Sequence, residues 1–471
     1  PVPRSSEPGA AARRRRGMKR STDPHARFRV RRLLPVVALA TTGLLAAACG
    51  SSSDDAVQVT GDPPVEVTEG SGGDTNPTDD AELAPAPAPG AATFGADADR
   101  ATAALEESGG DTAPEPVTDS VPEIGLRAGS VDDNEEWEAF LLYLQEAQAA
   151  GLEYSPLYVE GRRIIQVSTP DGQPVLDALI VVEDQDGTEV ARVRTHADGR
   201  ALFFPPAPEG EAIDQQQAAP SYTAIVEKDG VEQRIDLGAE PAVAVELDVG
   251  PTAEPVLLDV QFLVDATGSM ADEIERLKAN MISVAAQIGE LPGTPDVRFA
   301  LTTYRDRGEE YITRTVDFTG DVEAFTDELR AVVADGGGDE PEALNEGLAA
   351  ALDETSWRRE AAVRLLFLVA DAPPHLDYAD GPDYAPALVQ AAGEGIKVFP
   401  VASSGANFQA ELIFRQMAQY TSGRFVFLTY GADGVTPGDE TQFNVDDYSV
   451  LSLDELIVKL VEDELTALAG A

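Results

Sequence analysis

The stretch Val256-Leu257-Leu258-Asp259-Val260-Gln261-Phe262-Leu263-Val264-Asp265-Ala266-Thr267-Gly268-Ser269-Met270 decides how the second half of this chain is read. Positions 256–264 are almost continuously apolar, as expected of a parallel strand covered on both faces. Directly after it, positions 265, 267 and 269 carry oxygen side chains that one tight turn can aim at a common point. A helical pattern follows over 270–290.

Outward from that segment, strand-length apolar runs alternate with helical periodicity. Strands are predicted at 256–264, 297–304, 311–318, 363–370, 396–402 and 425–430, and helices at 270–290, 322–334, 341–355, 384–393, 409–420 and 453–468. The alternation predicts an α/β domain over 251–471, with a doubly wound, mostly parallel six-stranded sheet. The segments 297–304 and 311–318 are joined too briefly for a crossover helix, so that pair is expected to be antiparallel at one edge. Ligands of such sheets sit beyond the carboxyl ends of the strands. Two more loops there carry candidate chemistry: Gly336-Gly337-Gly338-Asp339-Glu340-Pro341-Glu342, and Asp371, which follows the apolar run 365–370. Its glycines allow close backbone approach, and Pro341 suits a first helical position. Carboxylates and hydroxyls converging on one spot suit a hard divalent cation, Mg²⁺ or else Ca²⁺ or Mn²⁺, rather than zinc. Taken singly, Asp371, Asp339, Thr267 and Ser269 could each cap a helix instead.

The ordered set Asp265-x-Thr267-x-Ser269, Tyr304-Arg305-Asp306, Gly336-Gly337-Gly338-Asp339-x-Pro341-Glu342 and Ala370-Asp371-Ala372-Pro373-Pro374-His375 resembles a von Willebrand factor type A domain with a metal-ion-dependent adhesion site. The resemblance runs over 255–430, with a closing helix to 468. It implies direct metal contact from Thr267 and Ser269, contact through water from Asp265 and Asp371, and a sixth position open to a Glu or Asp of a protein partner. The family's usual Thr in the middle loop is absent. Gly338 or Asp339 stands there, and Asp339 is the expected ligand. Asp306 and His375 are expected to support the site from behind. A Ser269–His375–Asp triad would make a hydrolase, but no G-x-S-x-G turn accompanies it, so no catalytic residue is expected and the chain reads as a binding protein, not an enzyme.

Upstream, 161–250 reads as short strands separated by Asp-Gly turns. Asp171-Gly172-x-Pro174-Val175-x-x-Ala178-x-Ile180-x-Val182, then Thr195-x-x-Asp198-Gly199-x-Ala201-x-Phe203, resembles the transthyretin-like, carboxypeptidase-regulatory-like β-sandwich family. His196, in the second turn, is expected to be solvated. Before it, 131–160 reads as an amphipathic helix and connector, with Trp137, Phe140, Leu141 and Leu144 on one face and Asp132-Asp133-Asn134 offering caps.

Residues 50–130 hold 17 Asp+Glu against Arg100 and Arg127, and Phe94 is their one aromatic. Such a composition cannot build a core and predicts a disordered, self-repelling tether. Ahead of it, with Met18 taken as the start, six basic residues from Lys19 to Arg32 precede an apolar run, 33–48, that ends at Cys49. This suits a secretory signal over 1–48. Leu45-Ala46-Ala47-Ala48-Cys49 resembles the bacterial lipobox, with Ala46 where Leu is usual, and implies a lipidated Cys49. The expectation is a lipoprotein anchored on the outer face of a bacterial envelope. The other reading is a structural or assembly factor of the envelope in which metal only stabilises the fold.

Composition sets the outer limits. The 471 residues carry a net charge of −50, which argues against binding nucleic acid through its phosphates. A single Cys allows no intrachain disulfide, and three His leave no multi-histidine metal site.

Overall fold

All nine residues of the strand Ala362–Ala370 are buried, which requires helices on both faces of its sheet. The computed structural model describes residues 125–207, 221–291, 294–338, 340–431, 436–445 and 448–470. Cys49, the signal segment and the tether as far as 124 lie outside the described residues, as does Asp339.

In chain order the elements are β1 (Arg127–Val131), α1 (Trp137–Ala149), β2 (Arg163–Ser168), β3 (Leu179–Glu183), β4 (Glu189–Arg194), β5 (Arg200–Phe203), β6 (Tyr222–Lys228), β7 (Val231–Leu237), β8 (Ala242–Glu246), β9 (Leu257–Asp265), α2 (Ala271–Gly289), β10 (Asp296–Tyr304), β11 (Thr313–Thr319), α3 (Val322–Arg330), α4 (Leu344–Asp353), β12 (Ala362–Ala370), α5 (Tyr384–Glu394), β13 (Ile396–Ala402), α6 (Phe408–Tyr420), β14 (Phe425–Thr429), β15 (Leu451–Ser452) and α7 (Leu453–Leu468). The large sheet runs β11-β10-β9-β12-β13-β14-β1-β15. Its five central strands, β10, β9, β12, β13 and β14, are parallel. Antiparallel pairings close both edges, β11 on one side and β1 with β15 on the other.

The sheet thus has eight strands among the described residues, not six. The two added strands are β15, at the edge, and β1, all but one residue of which lies in the segment expected to be tether and which pairs with β14 from the far end of the chain. Gly129 is needed there, because a Cβ would fall 2.8 Å from the ring of Phe427. Two cores flank the sheet. One gathers Phe262, Phe367, Leu277, Phe325 and Leu456, beneath α2, α3 and α7. The other gathers Leu366, Leu348, Leu388, Phe414 and Met417, beneath α4, α5 and α6. Each fully buried Phe or Leu contributes about 1.5–3 kcal/mol, so the doubly wound arrangement rests on these two layers.

Residues 163–246 form two smaller sheets, β5-β2-β8 and β4-β3-β6-β7, around a shared core with Ile165, Ile180, Phe203 and Val226. β7 is the polar edge strand that returns from the Asp229-Gly230 turn. The second of these sheets meets the amino end of the large one through Asp177, whose carboxylate takes Arg194, Arg364 and the Ala361 amide. This junction corrects the expectation for His196. Its turn folds inward rather than into solvent, leaving the ring 6% exposed. Burial, then Lys397 and Arg364 nearby, hold its pKa well below the usual value.

Two helix starts also differ. α1 begins at Trp137 rather than at the Asp132–Asn134 caps, because Asp133 is spent on a buried ion pair with Arg415. α4 begins at Leu344 with Ala343 at the cap position, three residues past Pro341.

Candidate functional site

Strand register brings the site together. Val264 of β9 lies opposite Val369 of β12, so the two parallel strands end one row apart and deliver Asp265 and Asp371 side by side. After Asp265 the chain turns at once into a single 3-10 turn, Gly268–Met270. Asp265 Oδ1 accepts from the Thr267 amide at 2.9 Å and from the Thr267 hydroxyl at 2.7 Å. Thr267 Oγ1 in turn lies 3.1 Å from Ser269 Oγ. The alternate spacing read from the sequence is therefore a real convergence. Neither hydroxyl caps the following helix. Asp371 caps none either, since α5 starts only at Tyr384 with Asp383 as its cap.

Asp265 and Asp371 are both buried, yet each keeps one oxygen, Asp265 Oδ2 and Asp371 Oδ1, without a hydrogen-bond partner among the described residues. Burial, and then the charge of Asp371, push the Asp265 carboxyl up to about 7, against the hydrogen bonds from Thr267 and the nearby Tyr304 hydroxyl, which itself has no partner of good hydrogen-bond geometry among the described residues. Burial likewise pushes Asp371 up to about 6, against a hydrogen bond from Ser269, with Glu340 and Glu273 adding repulsion. Two acids are thus held in an environment that disfavours their ionisation.

The glycine loop forms the facing wall. Gly336 and Gly337 have φ of +79° and +68°, which favours glycine. Gly336 O accepts from the Gly268 amide at 2.9 Å, tying this loop to the hydroxyl turn. An open cleft lined by Ser269, Gly337, Gly338, Glu340 and Glu342 lies over the junction. Glu342, which the sequence reading quoted only as part of a motif, is almost fully buried here.

Asp306 and His375 form a separate group beside this one. His375 Nε2 is 3.4 Å from Asp306 Oδ1, and Nδ1 is 2.7 Å from Asp377 Oδ1. Tyr378 stacks on the imidazole at 3.8 Å and donates to Asp306 at 3.1 Å. The ring nitrogens of His375 are thus directed at Asp306 and Asp377, whereas Ser269 faces Thr267. The backbone joins the two groups, because the His375 amide donates to Glu342 O.

Of the expected ligands, the structure brings together Asp265, Thr267, Ser269 and Asp371. Among the described residues no group of three or more His, Cys, Asp or Glu side chains is arranged to hold a metal ion. The four residues include only two such side chains. The donor set still fits a hard cation in kind: two unpaired buried carboxylate oxygens and two hydroxyls are oxygen ligands that such an ion accepts.

A doubly wound α/β domain with an oxygen-lined site at the carboxyl end of its sheet is the class that fold and geometry define. Residues 259–383 match the family model described as the von Willebrand factor A domain, and the chain carries such a domain there. No curated protein matches the sequence. Among solved structures, proximal thread matrix protein 1 from the mussel byssus overlaps 35% of this chain and 44% of its own, at 14% identity and a TM-score of 0.27. A second crystal form of it overlaps 39% and 49%, also at 14% identity, with a TM-score of 0.28. The chain spans less than half of that protein, and scores this low carry no weight for fold or function. No helix among the described residues is long and apolar enough to cross a membrane.

Proposed function

We propose that the chain is a non-enzymatic binding protein of the cell envelope, which takes a protein ligand at a divalent-cation site made by Asp265, Thr267, Ser269 and Asp371. One observation carries this reading: two buried carboxylates, each with an unpaired oxygen, stand beside two mutually bonded hydroxyls at the mouth of a cleft. A bound Mg²⁺ would supply the missing counter-charge, and with half of its protein donors neutral it would keep charge to attract a carboxylate from outside. Ser269 is exposed and lines the cleft, so the ligand approaches from its side. The von Willebrand factor A domain match supports a protein-interaction role of this kind.

Anchoring is proposed from the sequence alone: the basic segment, the apolar run and Cys49 suit a lipoprotein signal. In membrane fractionation, Cys49→Ala should move the protein to the soluble fraction, and retention of that variant would remove the anchor.

The binding role is tested by affinity capture from envelope extract using the full chain, with Mg²⁺ or with EDTA. A partner retained with Mg²⁺ and released by EDTA, while circular dichroism shows the fold intact, supports the reading. A partner retained equally with EDTA would favour the structural or assembly reading.

A further inference from the structure

Glu309 was singled out by no motif, yet it touches the loop on which the site is built. It sits half-buried in the turn between β10 and β11, and its Oε1 accepts from the Gly337 amide at 3.1 Å. A Cβ at Gly336 would collide with Glu309 Oε2 and Cδ, so the carboxylate lies close against the glycine backbone. The chain of contacts continues inward. Gly336 O accepts from the Gly268 amide at 2.9 Å, and Gly268 stands between Thr267 and Ser269. A Cβ at Gly337 would meet Thr267 Cβ at 3.1 Å, so loop and hydroxyl turn are in van der Waals register.

We propose that Glu309 is a positioning residue: by clamping the Gly336–Gly337 backbone it fixes the hydroxyl turn of Thr267 and Ser269 in the geometry that a divalent cation requires. The inference rests on the cation reading above. Positively twisted glycines are the most easily displaced backbone in the site, since glycine has the widest conformational freedom to lose. The Glu309 side-chain oxygen, reaching across from another segment to accept from the Gly337 amide, holds them. Residues that orient metal ligands from behind typically change affinity by about 10–100-fold when removed.

The test uses the full chain with Glu309→Ala, Glu309→Gln and Glu309→Asp, titrated with Mg²⁺ alone, together with amide hydrogen exchange of Gly337 in the metal-free protein. Gln keeps the reach and an acceptor oxygen but loses the charge. Asp keeps the charge but is one methylene short. Positioning predicts that Asp and Ala each weaken Mg²⁺ binding about tenfold, while Gln stays within about threefold of wild type. Exchange at Gly337 should quicken in Asp and Ala and hardly change in Gln. If Gln weakens as much as Ala while Asp binds like wild type, Glu309 acts only as a distant charge and the proposal is overturned. Three variants that bind like wild type would overturn it equally. Asp and Gln are conservative enough to fold should Ala fail. A wild-type protein that binds no Mg²⁺ would instead sink the cation reading itself, and a Gly337 amide that exchanges equally in all four proteins would dispose of the clamp independently.

Discussion

The two ends of the large sheet treat a buried carboxylate in opposite ways. Near the amino end, Asp259 is fully buried and both its oxygens are saturated. Oδ1 takes Arg298 Nε and Arg358 Nη1, and Oδ2 takes Arg298 Nη2 and the Arg358 amide. Asp177, at the junction with the smaller sheets, is likewise held by Arg194, Arg364 and a backbone amide. At the carboxyl end Asp265 is as deeply buried as Asp259, yet one oxygen finds no partner and the neighbouring charge is another carboxylate. The same residue type, near the two ends of one strand, is saturated where arginines meet it and left with an unpaired oxygen where they do not. The sheet satisfies Asp259 four times over at one end and leaves an oxygen of Asp265 unpaired at the other, and the proposed cation is what would complete it.

That contrast can be broken by mutation. Asp259→Ala strands Arg298 and Arg358 beside a buried void. It should cost about 3 kcal/mol of unfolding free energy, read by denaturant titration. Asp265→Asn should do the reverse in metal-free protein. The folded-state pKa of Asp265 lies above the unfolded value, so the native state holds its proton more tightly, and stability falls as pH rises toward 7. Asn lacks that penalty. The variant should gain about 1–3 kcal/mol over wild type at pH 8 and little at pH 4, while losing divalent binding. A variant destabilised at pH 8 would show that Asp265 is structural after all.

A smaller effect sharpens the comparison. With Asp265 near 7 and Asp371 near 6, metal must displace protons as the pH falls. Mg²⁺ affinity should drop about tenfold or more between pH 8 and pH 5.5, with protons released on binding at the lower pH. Calorimetry in buffers of different ionisation enthalpy counts those protons, and a flat pH profile would count against these two carboxylates.

Much of this was legible in the sequence because it is local. Strands β9, β12 and β13, covered on both faces, read as apolar runs, and Asp265, Thr267 and Ser269 signal a shared turn by spacing alone. What escaped is non-local. β1 is five residues with little apolar content inside an acidic stretch, and only its pairing with β14 makes it a strand. A protein cut at 131 would therefore lose part of its sheet along with the acidic segment before it. His196 looked solvated because its turn gives no hint of the sheet end it packs against. The part played by Glu309 depends on a glycine loop in another segment, and the Gly-Gly-Gly run hinted only that something approaches closely.

The most direct measurement is calorimetric titration of Mg²⁺ into the full chain and into Ser269→Ala, at about 0.15 M salt so that loose association with the acidic surface is screened. Ser269 is exposed and fills no core, so the variant should melt as wild type does. The account predicts one saturable site in wild type and an affinity at least about tenfold lower in the variant, because a ligand has been removed. Superimposable titrations, or no saturable site in wild type, would contradict it.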